Sequence, residues 1–140
     1  MATPPWWGEL VSISTTLADA DRAEIEYWQG TSAGSGAHYE GHAPPLTLRL
    51  STLGRVFGEQ SADFTREQRQ QVLRLLERVQ ADDRADYGDA VCTGFFEALL
   101  NTWDNGFDLR LHWTEMGPRS RSYCRAWNDF TGVETPDWMS

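Results

Sequence analysis

The chain has 140 residues, 40% hydrophobic and 24% charged, with 21 acidic against 12 basic side chains and a formal net charge of −9. That length suits one core between two packed layers rather than two full domains, and the composition is far from that of a disordered chain. The average negative field repels a phosphate backbone and an anionic bilayer, which argues against nucleic acid and membrane as partners.

No stretch approaches the length of about 18 apolar residues that reads as a membrane span, and MATPPWWGEL has neither a basic leader nor an apolar run of signal-peptide length. The expected compartment is the cytoplasm. Residues 1–8 read as an N-terminal tail in front of a single domain, because Pro4 and Pro5 delay any regular helix. Trp6 and Trp7 are large enough to anchor that tail on its own domain, and a contact patch for a partner is the competing reading.

Residues 10–17, rich in Ser, Thr, Val and Ile, and residues 24–28 have strand character. A single helix through Ser12, Ser14, Thr15 and Thr16 would place poor helix formers in its interior, so a short hairpin turning at residues 18–21, or an irregular segment, is expected. Residues 30–45, GTSAGSGAHYEGHAPP, read as a flexible loop. Its glycines lack the GxxxxGK[ST] order of a phosphate-binding loop, and His38 and His42 lie in loop rather than on one helix face, as a zinc pair requires. No cofactor and no metal are expected.

Leu50, Leu53, Val56 and Phe57 at helical spacing predict a helix over residues 47–59 that stops near Gly58. Thr65 and Gln68 form a capping-box pattern, with Phe64 where a hydrophobic staple begins, ahead of the stripe Val72, Leu75, Leu76 and Val79. The acidic run Asp82, Asp83, Asp86 and Asp89 then leads into a broadly apolar central helix ending near Trp103. Within it, Gly94 is expected to permit close approach of another segment. Cys92 and Cys124 are too few for a disulfide framework and read as small packing residues.

Asn105 and Gly106 can close the central helix, and Phe107, Leu109 and Leu111 alternate as in a short strand or extended connector. Pro118 and Gly132 bracket a last helix in which Tyr123, Trp127 and Phe130 recur at helical spacing, with Tyr123 and Trp127 expected as buried anchors; Trp138 can dock back. The resulting fold class is mainly α, with α+β possible: a compact domain of about four helices plus the N-terminal hairpin or irregular segment.

Candidate chemistry is thin. Glu97 and Asp104 lie on or just after the central helix, and a pocket joining His112 to Glu97 or Cys124 would suit a small hydrolase. Arg119, Arg121 and Arg125 near the last helix start can receive an anion. Neither arrangement amounts to a catalytic constellation in the sequence, so no catalytic residue is assigned and a non-enzymatic role is expected.

The words AVCTGFFEALL at residues 90–100 and GPRSRSYCRAWNDFTG at 117–132 resemble a family of small acidic bacterial proteins without assigned chemistry, some of which serve as immunity proteins beside toxins. Residues 47–132 carry the likeness. It implies a bacterial origin and a role in neutralising a toxin by direct binding, and no functional residue is carried over from it. The residues themselves add an independent reason: an acidic surface speeds encounter with a basic toxin, and aromatic anchors give specificity. The expected partner-binding residues are Asp82, Asp83, Asp86, Asp89, Glu24, Glu26 and Trp28.

Overall fold

A computed structural model describes residues 3–29, 44–103 and 105–140. The regular elements are the helices α1 (Trp7–Val11), α2 (Thr15–Trp28), α3 (Leu46–Glu59), α4 (Arg66–Ala81), α5 (Ala85–Ala90), α6 (Glu97–Trp103), α7 (Leu109–His112) and α8 (Pro118–Thr131). A six-residue π-helix, Val91–Phe96, joins α5 to α6 without a break. The loop expected at 30–45, with His38 and His42, lies almost wholly outside the described residues, as does Asp104.

No strand occurs among the described residues, so the N-terminal hairpin, and the α+β alternative with it, is wrong. The Ser and Thr residues taken for strand instead start a helix. Ser14 has extended backbone and its Oγ accepts the Thr16 N–H at 3.0 Å, capping α2. Thr15 and Thr16 therefore occupy the first turn, where poor helix propensity costs little, and the Ala- and Glu-bearing segment that follows propagates the helix. The alternation at Phe107, Leu109 and Leu111 is likewise not a strand: Gly106 turns the chain at φ +112°, Asp108 Oδ1 accepts the Arg110 N–H, and Leu109–His112 forms a helical turn.

The capping box is present in full, with Thr65 Oγ1 accepting the Gln68 N–H at 3.1 Å and Gln68 Oε1 accepting the Thr65 N–H at 2.9 Å. The staple takes another form: Arg69 stands one turn on and donates to the Phe64 carbonyl, while the Phe64 ring packs on Phe57. The core is centred where α3 meets the π segment and α6, among Leu50, Leu53, Phe57, Phe95, Phe96 and Leu99. Two glycines set that approach. A Cβ on Gly54 would collide with the Phe95 carbonyl, and one on Gly94 would lie 2.7 Å from the Thr47 carbonyl oxygen.

Across α3 lies a buried polar clasp that the sequence reading did not single out. Arg49 donates to both oxygens of Asp21, at 3.0 and 2.7 Å, while the Trp7 indole N–H donates to Asp21 Oδ2 at 3.0 Å. The clasp ties α1, α2 and α3 together and buries Trp7.

α8 begins at Pro118 and ends on Gly132 at φ +76°. Its buried residues, however, are Ser120, Cys124 and Asn128. Tyr123 and Trp127 are half-buried, packed against the edge of the core rather than within it, and Phe130 of the same row is 83% exposed. Their helical spacing is real, but the neighbouring row of small and polar residues faces the core. The C-terminal segment returns to cover that side: Met139 is fully buried, and Trp138 meets the rings of Trp103 and Trp113 edge-on.

Candidate functional site

The turn between α4 and α5 carries Asp82 and Asp83, and α5 itself carries Asp86 and Asp89, so four of the seven expected partner-binding residues lie together. Asp82 leaves the helical conformation and ends α4, and its Oδ1 accepts the Arg84 N–H at 3.1 Å. Arg84 then grips Asp86 with two bonds of 3.0 and 2.8 Å. That guanidinium holds the Asp86 carboxyl below its usual range. It also lies 4.1 Å above the centre of the Tyr87 ring, and Tyr87 meets Trp6 nearly perpendicularly at 5.7 Å. Asp82, Asp83, Asp86 and Asp89 are all exposed, but Arg84 offsets part of their charge beside Asp86.

Behind the turn lies a hollow of about 280 Å³ whose apolar walls are Pro5, Trp6, Val79 and Tyr87, with Asp82 and Arg84 among its polar lining. The Trp6 indole N–H is enclosed and has no acceptor. A buried donor without a partner costs about 1–3 kcal/mol, a penalty that the packing of Trp6 against Trp7 and Tyr87 has to offset.

Glu24, Glu26 and Trp28 lie on the last two turns of α2, and none of them lines this hollow. Glu24 Oε1 accepts the Trp28 indole N–H at 2.6 Å, and Tyr27, 41% exposed, stands edge-on to Trp28 at 5.3 Å. The seven expected residues thus fall on two surfaces, each pairing carboxylates with aromatic rings. Sequence reasoning missed Tyr87. The available signal was its position three residues after Arg84, which on a helix stacks a ring under a guanidinium.

The catalytic alternatives are dispersed. Glu97 accepts the Tyr123 hydroxyl at 3.0 Å and lines a hollow of about 410 Å³ with Ser51, Arg55 and Thr93. His112 lines a different one of about 350 Å³, its ring stacked on Phe107. Its Nδ1 is enclosed without a hydrogen bond, 3.9 Å from Glu115, and burial together with Arg69 favours the neutral imidazole. Cys92 and Cys124 are free thiols, raised by burial to about 11 and about 12, the wrong direction for a nucleophile.

The anion expected at the start of α8 comes from the chain itself. Glu77 of α4 accepts the amides of Arg119 and Ser120 at 2.9 and 3.0 Å and the Ser120 hydroxyl at 2.9 Å, with Arg119 Nη1 at 3.7 Å. Among the described residues no group of three or more His, Cys, Asp or Glu is placed to hold a metal ion, and no helix is long and apolar enough to cross a membrane. Comparisons with protein-family models, with curated proteins and with solved structures find no match to the chain.

Proposed function

We propose that this chain is a non-enzymatic protein-binding module of the immunity type, which neutralises a basic bacterial toxin in the cytoplasm by direct contact. The observation that carries the reading is the juxtaposition of four exposed aspartates, two in the α4–α5 turn and two on α5, with the hollow between Trp6 and Tyr87. Opposite charge accelerates encounter, while an aromatic-walled hollow supplies short-range selectivity. The net charge of −9 acts in the same direction.

The test is affinity capture from the native host with two baits, the wild type and the Asp82→Lys/Asp83→Lys double variant. Asp86 is left intact because Arg84 depends on it. A basic protein that binds the wild type stoichiometrically, is lost on the variant, and is inhibited in its own activity by an equimolar amount of the wild type is the expected result. Equal capture by both baits, or binding without inhibition, overturns the reading.

A further inference from the structure

Arg78, Asp82 and Arg84 are the charged side chains that line the hollow between Trp6 and Tyr87, and they differ in what they already hold. Arg78 Nη2 lies 2.6 Å from Glu9, and Arg84 grips Asp86 through two bonds. Each guanidinium therefore reaches the hollow with a carboxylate of its own. Asp82 forms no ion pair among the described residues, and its Oδ1 accepts from a neutral donor, the Arg84 backbone N–H. With both arginines matched and the aspartate unmatched, the hollow carries a net negative charge at its edge, to which exposed Asp83 adds. An anionic ligand would have to draw an arginine away from Glu9 or Asp86, whereas a cationic one displaces nothing.

The remaining walls, Pro5, Trp6, Val79 and Tyr87, are apolar. At about 280 Å³ the space falls just below the range of small-molecule sites, about 300–1,000 Å³, and suits a single side chain. A group that is apolar along its length and positive at its tip matches both the walls and Asp82. Lysine is that group, since its stem packs on apolar surface while the ammonium stays at the edge. Arginine fits less well: its planar fork is best used by two carboxylate oxygens, but Asp82 Oδ1 is engaged, and Arg84 already lies over the Tyr87 ring at 4.1 Å.

We propose that this hollow is a socket for one lysine side chain of the basic partner, with the aliphatic stem against Trp6 and Tyr87 and the ammonium on Asp82 Oδ2. The assignment rests on the basic-partner reading above and adds to it the chemistry by which that partner is held.

The test titrates the full chain with acetylated and amidated tripeptides, Gly-Lys-Gly, Gly-Arg-Gly and Gly-norleucine-Gly, at about 150 mM salt. The NMR resonance of the Trp6 indole N–H, assigned by its loss in Trp6→Phe, is the reporter. The lysine peptide is expected to shift that resonance saturably with a Kd of about 10 mM, and the arginine and norleucine peptides to bind about 3-fold more weakly. Asp82→Asn keeps an acceptor for the Arg84 N–H; it is expected to weaken the lysine peptide about 3-fold and to leave the norleucine peptide unchanged. Glu134→Gln, an equal loss of charge at an exposed residue outside the lining of the hollow, is expected to change neither. Arginine or norleucine binding as tightly as lysine, an Asp82→Asn variant that makes no difference, or an unmoved Trp6 resonance would each overturn the socket. None of those outcomes alters whether the wild type captures a basic protein, so failure of the socket and failure of the partner reading are told apart.

Discussion

Arg49 and Asp21 are only 6% and 7% exposed, so neither charge has water to fall back on. Their two mutual hydrogen bonds and the Trp7 indole make the burial tolerable. Removing one partner leaves the other charge uncompensated, and Asp21→Ala is expected to cost about 3–5 kcal/mol in urea unfolding. Replacing both residues with apolar side chains of similar volume is expected to cost less than either single change, a non-additivity that a double-mutant cycle measures directly. The thiols act on the pH axis. Burial raises Cys92 from 9.0 to about 11 and Cys124 from 9.0 to about 12, and Tyr123 moves the same way through burial and its bond to Glu97. Because the folded values lie above the unfolded ones, this contribution is fully present below pH 9.0 and is lost as pH rises toward 11–12. Urea midpoints are therefore expected to fall above pH 9.0, and to fall less steeply in Cys124→Ala.

Between elements, the tightest constraint is the approach of α3 to the π segment. Gly54→Ala would press a methyl group against the Phe95 carbonyl, backbone against which no side chain can swing aside, and a loss of about 1–3 kcal/mol in thermal or urea unfolding is expected. Local signals made several elements legible in advance: the Thr65–Gln68 capping box and the Pro118 and Gly132 bracket of α8 depend on a few neighbouring residues and no distant contact. Signals that need a partner were not legible. Thr15 and Thr16 are a different case, since the Ser14 cap that turns them into a helix start is itself local and was outweighed by their strand-like composition. Tyr123, Trp127 and Phe130 are periodic, but so are Ser120, Cys124 and Asn128, and periodicity alone does not say which row meets the core. Acidic residues at 82–89 could be read as exposed from sequence, whereas the meeting of Tyr87 with Trp6 joins segments some eighty residues apart. Glu77, an ordinary helix-surface glutamate by pattern, acquires its role only when the start of α8 lands on it.

For the whole molecule, charge and apolar surface are arranged as two separable devices. The net charge of −9 acts at a distance and is screened by salt, whereas the hollow between Trp6 and Tyr87 can act only on contact. Reversing Asp82 and Asp83 is therefore expected to slow association with a basic partner by about 10-fold at low ionic strength, and by much less at high salt, since rim charges govern encounter more than residence. Phe130→Asp adds a negative charge on a different face, at a side chain 83% exposed, and is expected to leave that association rate unchanged or slightly faster. Stopped-flow mixing of the captured partner with both variants at two ionic strengths checks the pair of outcomes. A Phe130→Asp variant that slows association as much as the aspartate reversal would place the contact on α8 and take it away from the acidic turn.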